Sequence, residues 1–258
     1  MNKPRILIFD IETAPNVAHV WNFWNNNVGI NQVLEDGYII SFAAKWLGED
    51  DVYYMENRDP DNPELTQELH ALIDEADIVV AHNGKKFDMG WFRAECVKHK
   101  LSPPSPVKIV DTLRAAKAYF YFPSYRLEYL TKAFGCEEKS AHKQFPGHEL
   151  WMECVVKNND AAWAEMEQYN IQDVISLEEL YLTMLPWIAN HPNVGVLMEM
   201  DHPVCKGCGS EHLQKRGFQT TNLSKFQRYR CNDCGSWSRG RVNLLDKEVR
   251  KDLLTNAL

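Results

Sequence analysis

The chain has 258 residues, of which 45% are hydrophobic and 25% charged, so it is long enough for one large domain or two unequal ones. No apolar run approaches the ~20 residues of a membrane span, and the first strand is not preceded by a secretory hydrophobic region, which argues against a membrane partner and predicts a cytoplasmic protein. The formal net charge is −8, yet residues 201–258 hold 11 Lys and Arg against 6 Asp and Glu, so an acidic body precedes a basic segment.

The first predicted element is a strand over residues 6–13, with the sequence ILIFDIET. Apolar residues occur on both sides of this strand, which predicts a central strand covered on both faces. Asp10 and Glu12 interrupt the pattern, and because strand side chains alternate, both carboxylates project from the same face. Two close carboxylates in a partly desolvated place favour a divalent cation, although a strand end that emerges into solvent would explain them equally well.

Residues 16–31 are rich in asparagine and aromatic residues, which predicts a loop. Trp21, Phe23 and Trp24 have two possible roles: they stack on nucleic-acid bases, or they anchor the loop to the core. We favour anchoring, because tryptophan is commonly buried in large part.

The next segments alternate between strand and helix. Strands are predicted over residues 38–47, 52–55, 78–81 and 108–111, and helices over 62–76, 87–100, 126–134 and 160–187. Three strands that form a meander, followed by alternating helix and strand, predict an α/β protein with a mixed five-stranded sheet flanked by helices. Asp111, at the end of the last strand, is interpreted as a helix cap or a supporting residue rather than as a metal ligand.

Two further carboxylates fall in these helices. Asp88 begins the helix that follows the strand over residues 78–81, where it is either an ordinary first-turn acid or a third metal ligand. Tyr169 and Asp173 stand four residues apart, so they lie on one face of their helix. An aspartate on a core-facing helix surface is unexpected unless it meets a positive charge.

These segments together resemble a known family. The order FDIET at residues 9–13, N-x-x-x-F-D at 83–88 and Y-x-x-x-D at 169–173 resembles the three motifs of the DEDDy 3′–5′ exonucleases. The proofreading exonuclease domain of family B DNA polymerases is similar in look, including the segment SYRLEYLTKAFG between the second and third motifs. The resemblance covers about residues 4–187, and it implies a ribonuclease H-like fold.

The resemblance also implies the roles of individual residues. Asp10, Glu12, Asp88 and Asp173 would hold two Mg²⁺ or Mn²⁺ ions, which would clamp the scissile phosphate while mononucleotides leave one at a time from a 3′ end. Tyr169 would orient a water molecule, since an ordinary tyrosine, with a pKa near ~10, is a poor base. Asn83 and Phe87 would line the pocket for the terminal nucleotide.

The C-terminal segment carries two C-x-x-C pairs, each followed by glycine. This spacing predicts one structural Zn²⁺ held by four thiolates, and the pattern resembles the zinc ribbons of some transposases; the ligands would be Cys205, Cys208, Cys231 and Cys234. Basic residues alternate with aromatic ones between the pairs, which favours contacts with nucleic acid over a purely structural or protein-docking role. The candidate contacts are Lys215, Arg216, Lys225, Arg228 and Arg230.

The sequence therefore predicts three parts: an exonuclease domain over residues 1–190, a zinc ribbon over 200–245 and a tail over 246–258. The expected substrate is single-stranded DNA, and no protein partner is indicated. Two alternatives stay open: a 3′–5′ exoribonuclease with the same site, or a non-catalytic protein that binds nucleic acid through its ribbon.

Overall fold

A computed structural model of the protein describes residues 3–24, 27–136 and 144–255. The chain divides into two compact units, Arg5–Tyr181 and a second that begins at Leu182. The domain limits predicted at residues 190, 200 and 246 remain a proposal. Among the described residues, no helix is both long and apolar enough to cross a bilayer.

The first unit is built on a mixed five-stranded sheet, as predicted. Its strands are β1 (Ile6–Thr13), β4 (Ile39–Trp46), β5 (Tyr53–Glu56), β6 (Ile78–Ala81) and β7 (Lys108–Asp111), in the order β5-β4-β1-β6-β7. β1 is the central strand, antiparallel to β4 and parallel to β6, and β6 is parallel to β7. The predicted meander of the first three strands is confirmed.

Helices cover both faces of this sheet, because β1 is apolar on both sides. One core contains Leu7, Phe9 and Ile11 of β1 and the helices α1 (Glu64–Glu75) and α2 (Asp88–Lys98). A second core, on α5 (Glu149–Val155) and α6 (Asp160–Met184), includes Ile40 and Trp163. In the part of this unit that the structure describes, the remaining α-helices are α3 (Thr112–Tyr119) and α4 (Leu127–Ala133). The sequence did not predict α5.

The segment after β1 contradicts the prediction that its aromatic residues anchor it to the core. Trp21, Phe23 and Trp24 are 92%, 93% and 85% exposed. The short strands β2 (Val17–Ala18) and β3 (Val33–Glu35) pair with each other, and the amide of His19 donates to the carbonyl of Gln32 at 2.9 Å. These backbone bonds close the base of the segment, so it does not depend on burial of the aromatic side chains at its tip.

A largely buried ion pair joins β4 to α6. The ammonium of Lys45 and the carboxylate of Glu178 have side chains only 10% and 13% exposed, and the amide of Gly48 also donates to Glu178, at 3.0 Å. Because α6 also carries Asp173, this pair helps to fix the helix that brings the Asp173 carboxylate to the sheet.

Lys45→Met is expected to lower the free energy of unfolding by about 3 kcal/mol, because it leaves the Glu178 carboxylate in a low-dielectric place without its cation. Chemical denaturation measures the change. Lys251→Met is the control, since the side chains of Lys251 and its partner Glu248 are 60% and 77% exposed, and its effect should be much smaller. The double variant Lys45→Met, Glu178→Leu should recover most of the loss; equal losses in all three would rule out a specific contribution of the pair.

The second unit contains the ribbon. Its sheet has three antiparallel strands, β8 (Leu213–Thr221), β9 (Ser224–Cys231) and β10 (Trp237–Arg239), in the order β10-β9-β8. The short helix α7 (Val194–Leu197) precedes the sheet and α8 (Lys247–Lys251) follows it. A β-bulge interrupts β8 between Lys215 and Phe218, where Gly217 has a φ of +64°.

Candidate metal centre

Three of the four predicted acids meet at the C-terminal half of β1. One carboxylate oxygen from each of Asp10, Glu12 and Asp173 lies within 4.8 Å of the other two. The alternation of β1 directs Asp10 and Glu12 to one face, and α6 brings the Asp173 carboxylate, which is only 7% exposed, to the same place. Such a cluster of oxygen atoms is the donor set that Mg²⁺ and Mn²⁺ prefer.

The fourth acid, Asp88, is the most deeply buried. It is 1% exposed, and neither carboxylate oxygen makes a hydrogen bond of good geometry within the described part of the chain. Burial raises the pKa of Asp88 well above its usual value, and the carboxylate of Asp10 raises it further. A buried carboxylate is costly unless it meets a cation or a donor. The residues therefore fit divalent ions, which would supply the positive charge that this side chain lacks.

A tight turn after β6 places Asp88. Asn83 has a φ of +68°, and a Cβ atom on Gly84 would lie 2.4 Å from the Cβ of Ala81, so only glycine fits there. The carboxylate of Asp111 accepts hydrogen bonds from the amides of Asn83 and Lys85, both at 3.2 Å, and from that of Arg114 at 3.0 Å. Asp111 is therefore a helix cap, as predicted, and it also fixes the turn that leads to Asp88.

The sequence did not single out Asn170, which orients Asp10. Its side-chain amide donates to the Asp10 carboxylate at 3.0 Å, and its side-chain oxygen accepts from the hydroxyl of Ser41 at 3.0 Å. Asn170 is fully buried on α6, between Tyr169 and Asp173 in the chain. An asparagine four residues from both Met166 and Val174, on the apolar face of the predicted helix, was the available signal, but the sequence does not tell which carboxylate it meets.

Trp151 is a second residue that the sequence did not single out. Its indole N–H donates to the carboxylate of Glu12 at 3.2 Å, and its ring meets that of Tyr169 edge to face at 5.7 Å. Burial raises the pKa of Tyr169, and the carboxylates of Glu12 and Asp10 raise it further. Trp151 thus holds both an acid of the cluster and the phenol beside it.

A cavity of about 770 Å³ adjoins the acidic cluster. Its lining includes His82, Asn83, Lys117, Arg126, Tyr169 and Asp173. Asn83 therefore lines a cavity beside the acidic cluster, and its contact with a terminal nucleotide stays a prediction. Phe87, which was predicted to line the same pocket, is 37% exposed and is not among the described lining residues.

The four cysteines of the second unit form a separate cluster. All four sulfur atoms lie within 4.8 Å of one another, with distances of 3.5 Å between Cys205 and Cys234 and 3.7 Å between Cys208 and Cys231. Four ligands at the Zn–S distance of ~2.3 Å around a tetrahedral ion would stand about 3.8 Å apart. The sulfur distances therefore fit a tetrahedral zinc ion. The glycines after the two C-x-x-C pairs, Gly209 and Gly235, have φ values of +76° and +78°, a backbone conformation that favours glycine.

The five predicted basic contacts do not share one surface. On β9, Arg228 and Arg230 are two residues apart and project from one face, whereas Lys225 lies three residues before Arg228 and projects from the opposite face. Lys215 is paired with Tyr229, which also projects from that opposite face. Arg216 lies at the bulge, where its carbonyl accepts from the Arg228 guanidinium at 3.0 Å.

Comparison with known proteins assigns the family. The model of the RNase H superfamily matches residues 7–185, a range that contains all four acids and Tyr169. The family B DNA polymerase of the archaeon Pyrobaculum calidifontis has a similar fold, with a TM-score of 0.54 and 17% sequence identity over 72% of this chain and 25% of the polymerase. The chain thus spans about a quarter of the polymerase, and the likeness concerns the fold alone. A search of curated proteins found no match. Because the family model matches more than half of its residues, the chain belongs to the RNase H superfamily.

Proposed function

We propose that the chain is a metal-dependent 3′–5′ exonuclease that hydrolyses nucleic acid to mononucleotides, with single-stranded DNA as the expected substrate. The observation that carries the proposal is the convergence of Asp10, Glu12 and Asp173 within 4.8 Å. It is supported by the buried Asp88, whose pKa is raised by burial and then by Asp10, and by the RNase H fold around it. The 3′–5′ direction rests on the resemblance of the three motifs to the DEDDy exonucleases.

Asp10, Glu12, Asp88 and Asp173 would hold two Mg²⁺ or Mn²⁺ ions. Bound there, the ions would offset the negative charge that develops on the phosphate and make a water molecule acidic enough to attack it. Asn170 donates to the Asp10 carboxylate and Trp151 donates to that of Glu12. These two hydrogen bonds would orient two of the four ligands before the ions bind.

Tyr169 acts as a positioning group in this proposal. Because burial raises the pKa of this phenol above its ordinary value near ~10, it keeps its proton at neutral pH and is not a base. Its O–H can hold the attacking water by a hydrogen bond. The cavity beside it would take the terminal nucleotide, with Lys117 and Arg126 near the phosphate charge and Asn83 at its edge.

The test uses oligonucleotides labelled at the 5′ end: single-stranded DNA, duplex DNA and RNA, with Mg²⁺ or Mn²⁺. We expect a ladder that shortens from the 3′ end on single-stranded DNA, and no cleavage when Ca²⁺ replaces these ions or when Asp10→Ala is used. Ca²⁺ is a better control than EDTA, because a chelator would also remove zinc from the cysteine cluster. Shortening of RNA alone would indicate the exoribonuclease, and binding without cleavage of any substrate would indicate the non-catalytic protein.

Asn170→Ala is expected to lower kcat about 10- to 100-fold, because Asp10 loses the amide that orients it. The free energy of unfolding should fall by about 1–3 kcal/mol, since the Ser41 hydroxyl is buried and loses its acceptor. Initial rates and chemical denaturation measure the two effects. Asn31→Ala, at an exposed position, is the control. A loss of stability with an unchanged kcat would limit Asn170 to a structural role.

A further inference from the structure

The two faces of the ribbon sheet differ in chemistry. Residues that pair directly across antiparallel strands project from the same face, and the pairs Arg230–Trp237 and Arg228–Arg239 join β9 to β10. Phe226 shares this face because it lies two residues before Arg228. We call this surface the arginine face: Phe226, Arg228, Arg230, Trp237 and Arg239.

The guanidinium groups of the arginine face lie over aromatic rings. That of Arg228 is 4.8 Å from the centre of the Trp237 ring, and that of Arg239 is 4.1 Å from the centre of the Phe226 ring. Stacking on a ring orients the planar cation, and in Arg228, whose Nε–H donates to the Arg216 carbonyl, the terminal N–H groups can still meet an anion. All three arginines are exposed, and Trp237 is 43% exposed. The face therefore presents oriented cations beside an accessible ring.

The positive charge of this face is not balanced by acidic residues within the three strands. The sequences of β8, β9 and β10 contain no Asp or Glu, and Arg228 stands directly opposite Arg239, which is unfavourable for two like charges. The acids Glu211 and Asp233 pair with His202 and His212. Among the ion pairs of the described residues, none includes an arginine of this face, so the charge is available to an external polyanion.

The opposite face is partly covered. Gln227, Tyr229 and Ser238 project from it and border a cavity of about 680 Å³, whose other wall includes Val196 and Met200. Arg239 also borders this cavity, but the arginine face is the more open of the two, because four of its five residues are exposed whereas Gln227, Tyr229 and Ser238 are only partly exposed. Lys215 and Lys225 project from the covered side, and the ammonium of Lys225 lies 4.0 Å from the centre of the Phe218 ring.

We propose that the arginine face binds a single strand of nucleic acid, with Arg228, Arg230 and Arg239 on its phosphates and Trp237 stacked on a base. Successive arginines on β9 recur at about 6.8 Å, a spacing that suits an extended backbone with charge at every nucleotide. An accessible indole ring needs an unpaired base, since a duplex hides the faces of its bases. This inference rests on the proposed function, because it takes nucleic acid as the substrate.

The test measures binding of a labelled oligothymidylate by fluorescence anisotropy, in the 258-residue chain that carries Asp10→Ala, between about 50 and 200 mM salt. Arg228→Ala with Arg230→Ala should weaken binding at least about 10-fold at low salt and reduce the slope of log affinity against log salt by about 1.4, since each phosphate contact on a single strand contributes about 0.7. Trp237→Ala should weaken binding about 10-fold with the slope unchanged.

The matched comparison is Lys215→Ala with Lys225→Ala, which removes the same charge from the other face. Its effect should stay below about 2-fold, with no change in slope. Equal losses in the two double variants, or none in the arginine pair, would overturn the proposal. Zinc content and circular dichroism of each variant establish that the ribbon is folded.

Hydrolysis by the wild-type chain is measured separately. If the wild-type chain hydrolyses nucleic acid but the arginine-face variants bind the oligonucleotide as tightly as the parent protein, only this inference is contradicted. Binding that depends on the arginine face, without hydrolysis by the wild-type chain, would support the inference and defeat the proposed exonuclease.

Discussion

Asp88→Asn is expected to abolish hydrolysis and, in the metal-free protein, to raise stability. The change keeps the size of the side chain but removes a carboxylate that is 1% exposed and that Asp10 repels. Because burial and this repulsion raise the pKa of Asp88 in the folded state, ionising it at neutral pH costs folding free energy. The amide avoids that cost, so the metal-free variant should be more stable than the wild-type protein at pH 7.

The direction of the pH dependence follows from the same shift. A carboxyl whose pKa is raised by folding destabilises the protein above its unfolded pKa, near ~3.9, and no longer does so once both states are protonated. The advantage of Asp88→Asn should therefore be present at pH 7 and fade as the pH falls towards 4. Thermal denaturation across this range measures it.

The change of Tm on addition of a divalent ion is a second measurement on Asp88→Asn. Mn²⁺ should raise the Tm of the wild-type protein, because it binds the folded state, and it should raise the Tm of Asp88→Asn much less. The rate of hydrolysis should fall about 10³-fold or more, beyond the loss typical of residues that only support a ligand. Asp50→Asn, at an exposed turn position, is the control. An equal gain of Tm with Mn²⁺ in wild type and Asp88→Asn would show that Asp88 does not hold the ion.

Local patterns in the sequence predicted much of the fold. The strands at residues 6–13, 78–81 and 108–111 were placed within their observed limits because each is a short apolar run that ends at a turn or a polar residue. The exposed position of Trp21, Phe23 and Trp24 was missed, because backbone pairing between β2 and β3, rather than side-chain burial, closes that segment. Composition carries no information about such pairing over fifteen residues.

The candidate site was predicted less completely. The four acids are separated by more than 160 positions from first to last, and only the resemblance of three motifs in order linked them before the structure did. Trp151 and Asn170 were not found, because their roles depend on where α5 and α6 cross β1. Ligand spacing in C-x-x-C pairs is local, by contrast, so the cysteine cluster could be predicted from the chain alone.

Removal of zinc is expected to unfold the ribbon. On β8 every residue after Leu213 is exposed, and among the described residues of the three strands only Cys231 is buried. Such a sheet has almost no apolar core, so the metal would supply most of its folding free energy, about 10 kcal/mol or more for a site of four thiolates. Zinc content and near-ultraviolet circular dichroism should both fall when a chelator is added.

Cys208→Ser should reproduce this loss without a chelator, since one thiolate of the four is removed. Limited trypsin digestion should then cut within residues 206–241, where eight Lys and Arg lie, at sites that the folded ribbon protects. Cys96→Ala is the matched control, because Cys96 is a buried thiol in the first core, and it should leave zinc content unchanged. A ribbon that kept its dichroism and its resistance to trypsin after losing zinc would have to be stabilised by its strands alone. With so few buried side chains, we expect the opposite.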